Sequence, residues 1–280
     1  MTAVPLYRRY RLPADNMLVV ALVVLVILVT AAALAPVVSP YDPLAVDFSA
    51  ALSGPSADHL LGADQSGRDI LSRLIYGARA GLLGPLLVVS VSTVLGALLG
   101  VVAAWCGGIV DTLLSRGMDL IFAFPALLLA IMMVSLFGPG LTAPIVAMSV
   151  AYAPYVGRLV RGVAMAEMSR PYIQAYRVQG WSGWVICVKH LVPNIAPLVL
   201  AQSAINFGYA LMDLAALSFL GFGIQPPTPD WGAMINEGAG ALLQGATLPA
   251  LAPGIAVVIT VVAFSMAGEG LADRVAQRER

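Results

Sequence analysis

Six stretches of this sequence are apolar enough and long enough to cross a lipid bilayer, and they limit the possible folds more than any other feature. The first run, residues 17–38, contains no charged side chain, and a membrane-spanning helix needs about 20 apolar residues. The other runs lie near residues 80–105, 113–137, 141–160, 195–219 and 248–266. The pattern predicts an all-α membrane protein with about six transmembrane helices.

The composition supports this prediction. Of the 280 residues, 60% are hydrophobic and 11% are charged, whereas soluble domains carry about 25% charged residues. So few charges cannot cover the surface of a water-soluble domain, and we expect the lipid bilayer to cover much of it. The 15 basic and 15 acidic residues balance, which argues against a nucleic-acid partner. Cys106 and Cys187 form no Cys-x-x-Cys motif, so neither a disulfide framework nor a metal site is expected.

The first apolar run also has features of a cleaved signal peptide. Arg8, Arg9 and Arg11 precede it, and the tripeptide at 33–35 resembles a cleavage site. Its apolar stretch is, however, about twice as long as that of a usual signal sequence. We therefore expect the run to remain in the protein as the first transmembrane helix.

The distribution of lysine and arginine predicts which side of the membrane each loop occupies, because cytoplasmic loops are enriched in these residues. With the N-terminus inside, 12 of the 15 basic residues are cytoplasmic, and Arg68, Arg73 and Arg79 lie outside. The reverse orientation would place 12 on the wrong side. Both termini are therefore predicted to be cytoplasmic.

The predicted spans divide the chain into five parts. They are a cytoplasmic N-terminal tail (1–16), a first transmembrane helix (17–38), an extracytoplasmic segment (39–79), a five-helix core (80–270) and a cytoplasmic tail (271–280). Two connections in the core stand out, a cytoplasmic loop at 161–193 and an outer loop at 219–247.

The extracytoplasmic segment ends in a pattern typical of a short helix. Ser66 followed by Asp69 predicts a helix start with an acidic side chain near the positive helix end. Apolar residues at 70, 71, 74 and 75 share one face, and Asp69 and Arg73 can pair at i, i+4. We expect an amphipathic helix on the outer membrane surface. It is either a structural collar that seats the second span or a surface that receives substrate.

The cytoplasmic loop predicts two short helices joined by a turn. Ser169 and Pro171 indicate a helix start, Gly180 indicates its end, and Ser182 begins a second helix that ends before Pro193. The projection carries aromatic residues, including the tryptophans at 181 and 184. Such residues suit a protein contact and equally suit anchoring in the lipid headgroup layer.

Two further patterns concern the helical core. Small residues at 92, 96, 100 and 104 form one stripe on the second span, which favours close packing inside the bundle over a dimer contact. The outer loop is dense in glycine and proline from 217 to 232, which predicts irregular turns rather than helix.

The fifth span contains polar residues at membrane depth. Asp213 is costly there and therefore a functional candidate, although a partner near the helix end would satisfy it equally well. Gln202, Ser203 and Asn206 lie on the same helix. These four residues either line a polar pathway or bond between helices.

Three of these segments resemble the inner-membrane permeases of dipeptide, oligopeptide and nickel ABC importers, in particular the second permease of the pair. The outer segment matches that family's His-x-Leu-Gly-Thr-Asp-x-x-Gly-Arg-Asp-x-x-Ser-Arg pattern from His59 to Arg73, with Ala63 in place of threonine. The late loop matches Leu-Ser-Phe-Leu-Gly-x-Gly-x-Gln-Pro-Pro-Thr-Pro-x-Trp-Gly from 217 to 232. The resemblance implies a type I ABC importer permease fold, peptide import and an outer collar made of Asp64, Gly67, Arg68, Asp69 and Arg73.

The cytoplasmic loop lies where this family carries its Glu-Ala-Ala loop. Ala175, Gly180 and Pro193 match, whereas Gln174 replaces the glutamate and Tyr176 replaces the second alanine. The departures weaken a salt bridge from position 174. The resemblance still implies a site that docks on an ATPase, made of Tyr172, Gln174, Ala175, Tyr176, Arg177, Gly180, Trp181, His190 and Pro193.

The energy source must lie elsewhere, because no Gly-x-x-x-x-Gly-Lys-Ser/Thr motif occurs and Lys189 is the sole lysine. The resemblance implies that this chain binds no cofactor and that ATP-Mg is bound by two partner ATPases. It also implies a second homologous permease, an extracytoplasmic substrate-binding protein and residence in the bacterial inner membrane.

Two other classes of membrane protein share part of this pattern. An intramembrane protease needs a nucleophile and a base at membrane depth, but His59 and His190 lie outside the spans and Asp213 has no acidic companion there. A secondary transporter of a small polar solute fits the composition, although no internal repeat typical of such folds is evident. It remains the alternative function.

Overall fold

The structure is a computed structural model that describes residues 14–278. Its helices are α1 Ala14–Ala33, α2 Ala35–Val38, α3 Ile70–Cys106, α4 Gly108–Phe122, α5 Ala126–Phe137, α6 Thr142–Met168, α7 Pro171–Val178, α8 Gly183–Ile186, α9 Val192–Phe219, α10 Trp231–Leu242 and α11 Leu248–Arg278. A 3₁₀ turn lies at Phe48–Ala50 and a π turn at Cys187–Leu191. Within 14–278 the only β-type pairing is an isolated bridge between Ala63 and Asp69. Arg8, Arg9, Arg11 and Arg280, on which the predicted orientation partly rests, lie outside the described residues.

Within residues 14–278, five helices are long and apolar enough to cross a membrane, and there are six spans when the bent pair α4 and α5 counts as one. The prediction of about six spans in an all-α protein is therefore confirmed. The run at 113–137, expected as one helix, is instead α4 and α5, which meet at an angle of 75°. The break falls at Pro125, because proline lacks the amide hydrogen that a continuous helix needs and disfavours helical geometry in the residue before it.

The predicted amphipathic surface helix does not exist as a separate element. The second span begins at Ile70, ten residues before its expected start, and runs for 37 residues without interruption. Asp69 caps it by accepting a hydrogen bond from the Ser72 amide. Ile70 and Arg73 are buried, so this first turn presents no polar face to water.

The stripe of small residues on α3 packs against α6, which confirms close packing inside the bundle. A Cβ added to Gly96 would lie 2.5 Å from the Ala153 carbonyl oxygen, and one added to Gly100 would lie 2.5 Å from the Gly157 carbonyl oxygen. The two backbones therefore touch, and no larger side chain fits between them.

Two connections differ from their predicted form. The second helix of the cytoplasmic loop does not end before Pro193. It continues through the π turn into α9, because a local π turn lets a membrane helix pass a proline by satisfying the backbone groups that the missing amide hydrogen leaves free. The outer loop at 219–247 is irregular from Leu220 to Asp230, as the glycine and proline density at 217–232 predicted. The rest of this loop contains α10, whose first turn is capped by Asp230 accepting from the Ala233 amide at 3.0 Å.

Candidate functional site

Four charged side chains form a buried cluster between the outer segment and α10. We call Asp64, Arg68, Arg73 and Glu237 the outer charge cluster. Asp64 Oδ2 accepts from Arg68 Nε at 2.7 Å and from Arg73 Nη1 at 2.5 Å. Glu237 Oε2 accepts from Arg68 Nη2 at 3.0 Å and from Arg73 Nη2 at 2.8 Å. Each cation therefore bridges both carboxylates.

The cluster ties three parts of the chain together. The Arg73 side chain is 1% exposed and that of Glu237 is 22% exposed. A buried charge that loses its partner costs about 3–5 kcal/mol, so the outer segment and α10 are held together on the first turn of α3. The tryptophan that begins α10 adds a hydrogen bond, from Trp231 Nε1 to the Leu74 carbonyl at 2.9 Å.

The i, i+4 spacing predicted an ion pair between Asp69 and Arg73, but the structure does not contain it. Its Oδ2 accepts from the Ser72 amide at 2.7 Å and from the Ser72 hydroxyl at 2.6 Å, and its Oδ1 lies 3.0 Å from His59 Nδ1. The Ser72 amide and hydroxyl therefore take the carboxylate that was expected to bind the arginine. Gly67 contributes by its backbone, since its φ is +74° and an added Cβ would collide with the Asp47 carbonyl.

Sequence reasoning missed Glu237, and the cause is distance along the chain. It lies 164 residues from Arg73 and belongs to a helix that was expected to be a loop. One signal could have found it. Asp230 is a good N-cap residue, and the helix it begins carries Glu237 two turns later. Burial raises the pKa of Asp230, while its hydrogen bond from the Ala233 amide opposes that rise.

The second candidate site is a cleft between the α4–α5 break, α6 and α9. We call it the central cleft. Its volume is about 470 Å³, and its lining includes Phe122, Phe124, Tyr152, Tyr155, Asn206, Tyr209, Met212 and Asp213. Asp213 Oδ2 accepts from the Tyr152 hydroxyl at 2.8 Å. The Gln202 amide reaches this group as well, because its Nε2 donates to Asn206 Oδ1 at 3.1 Å.

The structure thus brings together three of the four polar residues predicted on the fifth span. Gln202, Asn206 and Asp213 lie in or beside the central cleft. Ser203 does not, because its hydroxyl lies 2.9 Å from the Thr93 hydroxyl of α3 and bonds the Val199 carbonyl. It bonds between helices, which was the other interpretation open for these residues.

The third candidate site is the projection formed by α7, the turn at Gly180 and α8, which we call the cytoplasmic projection. Gly180 has a φ of +77°, which favours glycine, and Ser182 caps α8. The Tyr176 ring stacks on His190 with centroids 4.2 Å apart, and the Trp181 ring lies 5.1 Å from that of Tyr176. The predicted docking residues 176, 181 and 190 therefore form one aromatic cluster that fixes the turn.

A buried carboxylate holds the base of the cytoplasmic projection. Glu167, at the end of α6, accepts from the Tyr172 hydroxyl at 2.6 Å, and Asn194 Nδ2 donates to that hydroxyl at 2.7 Å. Burial, followed by the bond to Glu167, raises the pKa of Tyr172. Sequence reasoning missed Glu167 because it lies before the loop, whereas position 174 was the expected acidic site. Gln174 instead bonds the Met168 carbonyl at 3.1 Å.

The cytoplasmic projection also touches the end of α3. The Arg177 guanidinium lies 5.4 Å from the centre of the Trp105 ring, and a Cβ added to Gly183 would lie 2.9 Å from that ring. Its tip, in contrast, is open: Val178 is 89% exposed and Trp184 is 77% exposed. A fixed base with an exposed apolar tip is suited to binding another protein.

Comparison with protein families gives two matches. Residues 96–280 match the binding-protein-dependent transport system inner membrane component, and residues 9–55 match the N-terminal transmembrane domain of oligopeptide transport permease C.

Individual proteins give the same result. The chain is 35% identical over 263 residues to the dipeptide transport system permease protein DppC of Alkalihalophilus pseudofirmus, covering 94% of this chain and 86% of the relative. It is 38% identical to the di/tripeptide transport system permease protein DppC of Pseudomonas aeruginosa, covering 90% and 85%. It is 37% identical to the glutathione transport system permease protein GsiD of Pectobacterium atrosepticum, covering 84% and 78%.

A solved structure shares the fold. The chain resembles the MetNI methionine ABC transporter in an inward-facing conformation, with a TM-score of 0.60 at 20% identity over 74% of this chain and 97% of the other. At this identity the likeness concerns the fold alone.

Proposed function

Because this chain belongs to the family of inner membrane components of binding-protein-dependent transport systems, we propose that it forms half of the pathway of an ATP-driven importer of short peptides. The relatives that cover most of its length are named for dipeptides, di- and tripeptides or glutathione. All of these are small molecules with charged termini. Family membership also sets aside the secondary transporter as the alternative function.

The proposal assigns ATP hydrolysis to other subunits. The sequence contains no Walker-type lysine motif, and a loop of that kind needs its lysine to hold the phosphates. ATP-Mg therefore binds to two partner ATPases, and this chain performs no chemistry on ATP. An extracytoplasmic binding protein delivers the substrate to the face that carries the outer charge cluster.

The cytoplasmic projection carries the proposal, because its construction suits the transmission of force. Its base is fixed by Glu167 and Tyr172, and its turn is fixed by the stacked rings of Tyr176 and His190. The apolar side chains left exposed at its tip, Val178 and Trp184, are the groups that a cleft on an ATPase would cover. Hydrophobic burial of this kind contributes about 25 cal/mol per Å².

A second permease completes the pathway in this proposal. The central cleft is open on one side, and many apolar side chains of the helices that border it are exposed, including those at 128, 132, 146 and 200. Lipid covers some of them. A homologous subunit that packs against α5 and α9 would close the cleft into a channel.

The test is assembly and transport by the whole complex. The double variant Val178→Ser, Trp184→Ala changes two exposed side chains, so the subunit itself should fold as before. The matched control is Leu243→Ser, which changes a side chain that is 92% exposed in the outer loop. We expect the double variant to lose copurification of the ATPases and peptide uptake in proteoliposomes, while the control keeps both. Retention of both by the double variant would contradict the docking role.

A further inference from the structure

The central cleft contains a carboxylate without a counter-ion. Asp213 is bonded to the Tyr152 hydroxyl, and among residues 14–278 no basic side chain forms an ion pair with it. A carboxylate at membrane depth is costly unless a cation or further donors compensate it. The cleft therefore has space for a cationic group, and the Asp213 carboxylate could pair with one that comes from a bound molecule.

A second polar group of the cleft is also incomplete. Asn206 is 1% exposed, and its Nδ2 has no hydrogen-bond partner among the described residues, although its Oδ1 accepts from Gln202. A buried donor left without an acceptor destabilises the folded protein. Because Asn206 lines the cleft, an oxygen atom of a bound molecule would satisfy it.

The two groups have a fixed spacing. Asp213 follows Asn206 by seven positions on α9, which is two helical turns, so both side chains lie on one face about 10 Å apart along the axis. An extended peptide rises about 3.3–3.6 Å per residue. The spacing therefore fits a molecule of about three residues, with a positive group at one end and an oxygen acceptor at the other.

We propose that the central cleft is a transit subsite for short peptides, in which Asp213 pairs with the α-ammonium group and Asn206 donates to a carbonyl or terminal carboxylate. This inference rests on the proposed function and names the groups that recognise its substrate. The aromatic rings at 122, 124, 155 and 209 form the walls. Aromatic faces also attract a cation.

The arrangement explains how one pathway could pass many peptides. Its two polar contacts address the backbone termini, which all unmodified peptides share. The walls are rings that accept different side chains without specific hydrogen bonds. Tyr152 holds the Asp213 carboxylate in place by its hydrogen bond and is thus a positioning residue for the ammonium site.

The first experiment measures uptake by the complete transporter in proteoliposomes, with trialanine as the probe. Asp213→Asn should reduce uptake at subsaturating peptide at least about tenfold, because the neutral amide cannot pair with the ammonium group, while the ATPases still copurify with the variant. Asp213→Glu should restore most of the uptake. Asp273→Asn makes the same chemical change at an exposed position on α11 and should have no effect.

The second experiment tests the charge of the cleft without transport. In the complex with Cys106 and Cys187 replaced by serine, Met212→Cys places a thiol in the lining. A cationic methanethiosulfonate should react with it faster than an anionic one, relative to their rates with a free thiol. Asp213→Asn should abolish that preference, and trialanine should slow the labelling.

The outcomes separate this inference from the function on which it rests. If the wild-type complex takes up no peptide, the proposed function fails, whatever the thiol probes report. If the wild type transports trialanine, the transit subsite is wrong when Asp213→Asn transports equally well or leaves the cationic preference unchanged. It is also wrong if Asp213→Asn only disassembles the complex, since the carboxylate would then bind another subunit.

Discussion

Replacing Glu237 by glutamine should open the outer face of the protein. The variant keeps the shape of the side chain but leaves Arg68 and Arg73 to share the single charge of Asp64. Removing one partner of a fully buried pair costs about 3–5 kcal/mol. Because Glu237 is 22% exposed and glutamine can still accept one hydrogen bond, we expect a smaller cost, about 2 kcal/mol.

Local opening of the outer segment can be measured with trypsin. The enzyme cleaves after arginine, and Arg68 is 8% exposed in the closed structure. Cleavage at Arg68 therefore requires the cluster to open, and its rate follows the open population. A loss of about 2 kcal/mol raises that population about 30-fold. Right-side-out membrane vesicles expose this face to the enzyme under the predicted orientation.

Two controls make the result specific. Glu269→Gln changes an exposed carboxylate on α11 and should leave cleavage at Arg68 unchanged in an otherwise identical chain. The double variant Glu237→Gln, Arg73→Met removes the surplus cation, so its cost should be smaller than the sum of the two single changes. Equal cleavage rates in Glu237→Gln and wild type would refute the idea that charge pairing closes this face.

Three further predictions concern other parts of the molecule. Tyr172→Phe removes the hydroxyl that Glu167 binds, so copurification of the ATPases should fall severalfold in a pull-down assay, whereas unchanged recovery would show that this bond does not fix the cytoplasmic projection. Gly100→Leu should sharply reduce the yield of folded protein in the membrane, because an added Cβ at Gly100 would lie 2.5 Å from the Gly157 carbonyl oxygen, a backbone atom that cannot turn away, and overpacking costs about 1–3 kcal/mol or more. Gly117→Leu, whose added Cβ meets nothing within 4 Å, should keep the wild-type yield. Burial raises the pKa of Asp230, so the stability that its protonated form contributes is full below the ordinary carboxyl pKa of about 3.9 and is lost as pH rises through the raised pKa. Asp230→Asn keeps the helix cap but does not titrate, so the melting temperature of this variant should change less over that pH range than the melting temperature of wild type.

The sequence predicted the features that depend on composition and local chemistry. Apolar length alone located the spans, because a bilayer requires about 20 such residues whatever their neighbours. The turn at Gly180 and the cap at Ser182 were also predictable, since each depends on one residue and its adjacent backbone. The packing of Gly96 and Gly100 inside the bundle was predictable as well, because small residues four positions apart lie on one face of a helix and let another helix approach closely.

The errors arose where a distant residue or a competing local bond decided the structure. Asp69 was expected to bind Arg73, but the Ser72 amide in the first turn of α3 and the Ser72 hydroxyl take its carboxylate. Arg73 then pairs with Glu237, which no local pattern connects to it. The break at Pro125 belongs to the same class, because a membrane helix can accommodate proline or bend at it, and the surrounding helices decide which.

The length of α3 connects the two ends of the proposed mechanism. It begins at the outer charge cluster, ends beside Trp105 and the cytoplasmic projection, and contains 37 residues, which makes it about 55 Å long. Its middle is locked to α6 by backbone contact at Gly96 and Gly100, so α3 cannot slide independently of the bundle. A force applied to the cytoplasmic projection at Arg177 and Gly183 therefore acts on the same rigid element that carries Arg73. In the proposed importer, this single continuous helix would connect the site that docks on an ATPase to the surface where substrate arrives.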